Sequence, residues 1–193
     1  MRATFACFKR VIFVVMTGMV ISFVSPFAAA QEIELPRWFK TSFLDFRDDI
    51  KEAAAAHKRV IIYFGQNGCI YCRRLMEVNF KQADIVARTQ QHFDVVEINI
   101  VGSRDVTWRD GTTMTEKEFA RAIGVRFTPT LIFLDDKGAV LLRANGYYPP
   151  RTHLAALNYV IDGAFRGEPD FQNYLKKHNV EVPARGAASP VPQ

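Results

Sequence analysis

The stretch that decides the fold reads VIIYFGQNGCIYC and spans residues 60–72. Its first five residues are β-branched or aromatic and predict a central strand, and residues 65–68 predict a turn. The turn leads to Cys69 and Cys72, at the head of a helical pattern that extends to about Asn79. A helix N-terminus offers unpaired N–H groups and the positive end of the helix dipole, so it stabilises a thiolate at Cys69. The thiolate is the form of cysteine that attacks disulfides.

Residues 1–30 have the organisation of a secretory signal peptide. Basic residues precede an almost continuous apolar run at 11–24, and a Ser-Pro break and three alanines follow before Gln31. The run is shorter than the ~20 residues that a membrane-spanning helix needs, although an uncleaved anchor is the alternative. We therefore expect export to a bacterial periplasm. Cleavage would remove Cys7, the third cysteine, and leave one dithiol pair with no spare thiol.

The formal net charge of +5 comes largely from the predicted signal, which contains basic but no acidic residues. We therefore infer no nucleic-acid or membrane-surface partner from charge. The rest of the chain is long enough for one domain with its own core. We expect an extended lead-in at 31–41, a single domain at 42–178 and a disordered tail at 179–193, which is rich in Pro, Ala and Gly towards its end.

Along the domain, hydrophobic periodicity predicts helices that alternate with strands. Thr115 and Glu118 form a capping box ahead of one helix. The order of segments predicts an α/β fold with a mixed central sheet of about four main strands and helices on both faces. The predicted segments are helix 43–57, strand 60–64, helix 69–79, helix 83–93, strand 94–101, a polar hairpin or loop at 102–114, helix 119–124, strand 131–134, strand 139–143, helix 152–165 and helix 171–177.

A lone Cys-x-x-Cys pair is compatible with several chemistries. A structural zinc site needs four ligands, and the sequence has no second pair at ligand spacing. We interpret each of the scattered histidines, His57, His92, His153 and His178, as a surface or helix-end residue. Covalent haem attachment needs a histidine after the second cysteine, where Arg73 stands. An inert structural disulfide stays open, although so short a loop removes little chain entropy.

The combination of these features resembles the thioredoxin fold. The resemblance is carried by the strand at 60–64, the two cysteines at a helix start, and Thr128-Pro129 just before a hairpin. The chain is also similar, over about residues 40–177, to the periplasmic SoxW-like thioredoxin group. The residues that carry this second likeness are Tyr71 to Phe80, Thr115 to Ala120, Thr128 to Thr130, and Gly146-Tyr147.

The resemblance implies roles for particular residues. Cys69 would be the exposed nucleophile that forms a mixed disulfide with a partner, and the more buried Cys72 would resolve it. Pro129 would be a cis-proline that keeps the loop open, so that a peptide pairs with Thr128 like an added strand; an ordinary trans turn is the alternative. Tyr71 and Gly146 complete the expected substrate-binding set. No cofactor and no metal are implied.

Two departures from thioredoxin bear on proton transfer and on the surface near the cysteines. Gly68 stands where thioredoxin has a tryptophan, and Tyr63 stands where it has a buried acid that assists proton transfer. Proton handling would then fall to solvent, Glu97 or Tyr71, although we interpret Glu97 first as a solvated strand residue.

Three further side chains have two interpretations each. Arg73 and Arg74 are first of all solvated helix residues, and the alternative is that they lower the Cys69 pKa or steer acidic partners. Trp108 either contacts a partner or fixes its loop to the domain.

We predict an exported thiol–disulfide oxidoreductase that reduces disulfides in other exported proteins. Its expected partners are those substrates and a membrane thiol transporter as electron donor, with no nucleic acid, and the protein is expected to be a monomer. Reduction rather than oxidation rests on the resemblance alone. Two alternatives stay open: a disulfide-forming oxidant, and a thioredoxin-fold carrier whose dithiol binds a soft metal such as Cu(I), an ion that two thiolates suit.

Overall fold

A computed structural model describes residues 32–181. The predicted signal peptide at 1–30 and residues 182–193 of the predicted tail at 179–193 lie outside the described residues. The first residues of that tail are attached to the domain, since the N–H of Val180 donates to the carbonyl of Leu175 and the carbonyl of Glu181 accepts from the hydroxyl of Thr152. None of the helices in 32–181 combines the length and the apolar character needed to cross a membrane. The elements are α1 Phe46–Ala55, β1 Arg59–Gly65, α2 Ile70–Glu77, α3 Ala83–His92, β2 Phe93–Asn99, β3 Asp105–Thr107, β4 Thr113–Thr115, α4 Glu116–Ala122, β5 Thr130–Leu134, β6 Val140–Asn145, α5 Pro150–Ile161 and α6 Phe171–Lys177, with 3-10 turns at Asn79–Lys81 and Ala164–Arg166.

Four strands form one mixed sheet in the order β2-β1-β5-β6. β1 and β2 run parallel, with Ile62 opposite Val96, whereas β5 runs antiparallel to both of its neighbours. The predicted α/β fold with four main strands is therefore confirmed. β3 and β4 form a separate hairpin with Val106 opposite Met114, in the segment predicted to be a hairpin or loop.

Side chains of β1 alternate between two hydrophobic cores, one on each face of the sheet. Ile61 and Tyr63 enter the core that α2, α3, α5 and α6 cover. Val60, Ile62 and Phe64 enter the other core, which α1 and α4 cover. Helices therefore lie on both faces of the sheet, as predicted, and β1 is its buried central strand.

The first helix begins later than its apolar spacing predicts. Leu44 has a positive φ of 63°, and Asp45 then caps α1 by accepting a hydrogen bond from the N–H of Arg47. Because the chain turns at this point, Leu44 enters the core while Phe43 is fully exposed. The helix predicted at 43–57 therefore starts three residues later, and Phe43 lies outside it.

Local hydrogen bonds set two other boundaries. The hydroxyl of Thr115 accepts from the N–H of Glu118, whose carboxylate accepts from the N–H of Thr115, so the predicted capping box is confirmed. β2 ends at Asn99, sooner than predicted, because Asn99 accepts hydrogen bonds from the N–H groups of Val101 and Gly102 and turns the chain.

The segment before α1 packs against the domain through two aromatic rings. The ring centroids of Trp38 and Phe39 lie 5.2 Å and 5.6 Å from that of Phe80, in edge-to-face geometry. The N–H of Lys40 donates to the carbonyl of Val95 in the edge strand β2 at 2.8 Å. The segment is thus attached to the same core that contains α2.

Candidate active site

Cys69 and Cys72 are joined by a disulfide at the first turn of α2. Cys69 is the N-cap residue, and its sulfur accepts a hydrogen bond from the N–H of Cys72 at 3.0 Å. Cys69 is half-buried, whereas Cys72 is completely buried. The geometry therefore leaves Cys69 within reach of a partner and encloses Cys72, while the spacing of three residues keeps both side chains on one side of the helix, where their sulfurs can bond.

A proline loop lies directly against Cys69. The Thr128–Pro129 peptide bond is cis, and the Thr128 hydroxyl donates a hydrogen bond to the sulfur of Cys69 at 3.3 Å. The carbonyl of Pro129 accepts from the N–H of Gly146 at 2.8 Å. The structure therefore brings together Cys69, Thr128, Pro129 and Gly146, which were all predicted as site residues.

Tyr71 projects from the first turn of α2 and is 57% exposed. Its ring stacks on that of Tyr147, with centroids 6.2 Å apart and planes inclined by 22°. The guanidinium of Arg74 lies 5.0 Å from the centroid of the same Tyr147 ring. Arg74 is exposed, as interpreted from the sequence, but it also helps to join the loop after β6 to α2.

A buried asparagine below these rings was not recognised from the sequence. The side-chain amide of Asn79 donates to the carbonyl of Tyr148 at 2.9 Å and lies 3.0 Å from Nδ1 of His153. Its side-chain oxygen accepts from the hydroxyl of Tyr147 at 2.9 Å. Asn79 therefore holds the Tyr147 ring on which Tyr71 stacks. The sequence signal was a polar residue with an apolar neighbour on each side, but its partners are remote in the chain.

His153 contradicts the interpretation of all four histidines as surface or helix-end residues. It is 2% exposed, and its ring packs edge-to-face on Phe80. Burial lowers the pKa of His153 to about 4, so the ring is neutral at neutral pH. Because the Asn79 amide has only donors on its nitrogen, Nδ1 accepts and the proton is assigned to Nε2.

Tyr63, which the resemblance to thioredoxin places where that protein has a buried acid, shares a core with Cys72. Burial raises the pKa of its phenol, and the charge of Glu97 raises it further. Glu97 lies opposite Tyr63 on β2. Its carboxylate is half-buried, and Oε2 lies 2.6 Å from Nη2 of Arg104. The interpretation of Glu97 as a solvated strand residue is therefore wrong.

Glu97 belongs to a group of charges beside the core of Cys72. Burial raises the pKa of the Glu97 carboxyl, and the ion pair with Arg104 opposes that rise. Arg104 also lies 2.6 Å from Oε1 of the buried Glu116. Tyr63, Glu97 and Arg104 line one cleft of about 400 Å³. A carboxyl with a raised pKa can take up or release a proton in this cleft.

The remaining candidate residues, Trp108 and Arg73, pack within the fold or line a groove. Trp108 packs on Phe46 and Phe119, with ring centroids 5.4 Å and 5.1 Å away, so it fixes the hairpin to the core. Arg73 is half-buried and lines a groove with Glu77 and residues 32–38. Within residues 32–181, no group of three or more His, Cys, Asp or Glu side chains is placed to hold a metal ion.

Comparison with known proteins assigns the family. The model of the thioredoxin-like domain matches residues 46–161, more than half of the chain. A thioredoxin-fold protein from Helicobacter pylori is 27% identical, with a TM-score of 0.51 and coverage of 64% of this chain and 81% of that chain. A provisionally assigned disulphide-isomerase from Bacteroides thetaiotaomicron is 24% identical (TM-score 0.50; coverage 70% and 98%), and a thioredoxin from Thermus thermophilus is 23% identical (TM-score 0.50; coverage 64% and 90%). No curated protein sequence matches. The chain belongs to the thioredoxin-like domain family.

Proposed function

We propose that this protein is a thiol–disulfide oxidoreductase whose redox centre is the Cys69–Cys72 pair. The observation that carries the proposal is the contrast between the two sulfurs at the start of α2. Cys69 is within reach of a partner, whereas Cys72 is enclosed in the core. The N-terminal end of a helix favours the thiolate form of Cys69, which is the attacking species in disulfide exchange.

The proposed reaction has two exchange steps. The Cys69 thiolate attacks one sulfur of a substrate disulfide, forms a mixed disulfide and releases the other substrate sulfur as a thiolate. Cys72 then loses its proton and attacks the sulfur of Cys69, which restores the Cys69–Cys72 disulfide and releases the second substrate thiol. Two electrons pass to the substrate, and a dithiol donor must later return them. The carboxyl of Glu97, in the cleft that Tyr63 also lines, is the proposed final acceptor of the Cys72 proton, with solvent as the carrier between them.

The proline loop is the proposed site for the substrate backbone. Within residues 32–181, neither the N–H nor the C=O of Thr128 bonds to another residue. These two groups lie beside Cys69, since the Thr128 hydroxyl contacts its sulfur. A peptide that pairs with Thr128 like an added strand would present its disulfide to Cys69. Tyr71 and Gly146 flank this position and complete the proposed binding set.

The compartment and the direction of electron flow belong to the same proposal. The signal-like segment at 1–30 supports export, and its removal would leave only the redox pair as cysteines. Likeness to the periplasmic SoxW-like thioredoxin group supports reduction of other exported proteins, with a membrane thiol transporter as donor. A reduction potential near the roughly −270 mV of thioredoxin would agree with a reductase, whereas one near the roughly −120 mV of a strong oxidant would reverse the direction.

The test uses the protein without residues 1–30 and an insulin reduction assay with dithiothreitol as donor. The wild-type protein should accelerate the reduction of insulin by dithiothreitol, and we expect Cys69→Ser to abolish this acceleration. We expect Cys72→Ser to accumulate a mixed disulfide between Cys69 and insulin, visible by non-reducing electrophoresis and mass spectrometry. Arg88→Glu, on the exposed side of α3, serves as the matched surface control. Full activity in Cys69→Ser would contradict the proposal.

A further inference from the structure

Three segments of the chain meet around Cys69 and form one surface, which we call the active-site face. They are residues 66–74, 126–130 and 145–151. The Thr128 hydroxyl contacts the sulfur of Cys69 at 3.3 Å, and Gly146 bonds to Pro129 at 2.8 Å. Tyr147 of the third segment stacks on Tyr71 of the first, so each segment contacts the other two.

The three segments of the active-site face carry basic but no acidic side chains. They contain four arginines and not one Asp or Glu. Arg74 and Arg126 are exposed, and within residues 32–181 neither forms an ion pair. Arg73 contributes less, because it turns to a groove that also contains acidic side chains.

Apolar side chains on the same face are exposed beside the cysteine and the proline. Ile70 is 75% exposed, and Tyr71 and Phe127 are each 57% exposed. Ile70 and Tyr71 follow Cys69 directly, while Phe127 precedes Thr128, whose hydroxyl contacts the Cys69 sulfur. Exposed apolar groups next to a functional centre indicate a surface that binds a partner.

We propose that the active-site face selects substrate protein segments in which the disulfide lies next to acidic and apolar side chains. This rests on the proposed oxidoreductase function and adds the class of substrate to it. The acidic groups would approach Arg74 and Arg126, and the apolar groups would cover Ile70, Tyr71 and Phe127. Charges at the rim of such a surface act mainly on the rate of encounter and on its salt dependence. A basic segment would instead meet like charges on the three segments, which contain no Asp or Glu.

The test compares two synthetic disulfide-bonded peptides that differ only in Glu or Lys on either side of the cysteines and share an apolar neighbour. Reduction by the reduced protein is measured as a second-order rate constant. Each value is divided by the rate of the same variant with bis(2-hydroxyethyl) disulfide, which is small and neutral. At low ionic strength we expect the Glu peptide to react about tenfold faster than the Lys peptide. The ratio should approach one at about 1 M salt, where the Debye length is about 3 Å.

The variants assign the preference to this face. Arg74→Glu combined with Arg126→Glu should abolish or invert the ratio, and the milder Arg74→Gln with Arg126→Gln should reduce it part of the way. Arg88→Glu has the same change of charge on α3, away from the three segments, and should keep the wild-type ratio. A wild-type ratio of one at low salt would overturn the proposal. A ratio that survives in both double variants, or that Arg88→Glu removes as well, would also overturn it.

A binding measurement separates this proposal from the proposed function. The same two peptides, with Ser in place of Cys, are labelled and titrated with the oxidised protein, and fluorescence anisotropy is followed. Tighter binding of the Glu peptide that depends on Arg74 and Arg126 supports the acidic preference. If the wild type fails to reduce the small neutral disulfide, the proposed oxidoreductase function is wrong, and this titration alone decides whether the face selects acidic segments.

Discussion

His153 links the stability of the fold to pH because it is buried as a neutral ring. Burial lowers its pKa from 6.5 to about 4, so the unfolded chain binds the proton more tightly than the folded one. The stability that depends on this difference is present above pH 6.5 and is lost as the pH falls from 6.5 towards 4. Between pH 7 and pH 5 we expect His153 alone to lower the free energy of unfolding by about 2 kcal/mol, measured by urea denaturation.

The control for this prediction is His153→Gln, which keeps an acceptor for Asn79 but does not titrate. Its free energy of unfolding should fall less than that of the wild type between the same two pH values, by about 2 kcal/mol. Other titrating groups contribute equally to both proteins and cancel in the comparison. The same pH dependence in wild type and variant would contradict the assignment.

Comparison of Gly146 with Gly124 distinguishes the effect of backbone strain on stability from an effect on activity. Gly124 has a similar backbone conformation but lies outside the active-site face. Both have a positive φ, +80° and +72°, and neither has an atom within 4 Å of the position of an added Cβ. Alanine at either position should lower the free energy of unfolding by about 1 kcal/mol, through backbone strain alone. Only Gly146 bonds to Pro129 beside Cys69. Strain at Gly146 would displace the Pro129 carbonyl to which its N–H bonds, so insulin reduction should slow several-fold in Gly146→Ala and stay unchanged in Gly124→Ala. Equal activities would contradict the proposed binding role.

At the scale of elements, Asn79 connects the end of α2 to the loop after β6 and to α5. Asn79→Ala would leave the buried carbonyl of Tyr148 and the hydroxyl of Tyr147 without this partner, and we expect it to lower the free energy of unfolding by about 3 kcal/mol. Tyr147→Phe removes only one of these bonds and keeps the ring that stacks on Tyr71, so its cost should be about 1 kcal/mol. Equal costs in urea denaturation would show that the network does not act as a unit.

The contrast between α4 and the Asn79 network shows what the sequence predicts and what it does not. Thr115 and Glu118 are three residues apart and bond to each other, so the start of α4 can be predicted from neighbouring residues in the sequence. The strand run and the turn before Cys69 are local in the same way. Asn79 and His153 are 74 residues apart, and their contact depends on how α5 packs against the 3-10 turn that follows α2. The pairing of Glu97 with Arg104 likewise depends on the path of the chain after β2.

For the molecule as a whole, the segments outside the family match complete the fold. The match ends at residue 161 and begins at 46, yet Phe171 and Leu175 of α6 are buried in the core that contains Cys72. Trp38 and Phe39, which precede the matched region in the sequence, pack against the same core. The environment of the redox pair is therefore built partly by residues beyond the matched region.

This arrangement predicts that the lead-in stabilises the whole domain. In Trp38→Ala combined with Phe39→Ala, the edge-to-face contacts with Phe80 are lost and apolar surface of the core is opened to water. Since both rings are partly buried, we expect the free energy of unfolding to fall by about 3 kcal/mol or more. Phe43→Ala is the matched control, because that ring is fully exposed only a few residues away and should change stability by less than about 0.5 kcal/mol. Urea denaturation of the oxidised proteins measures both. If the double variant were as stable as Phe43→Ala, the lead-in would not be part of the folded core.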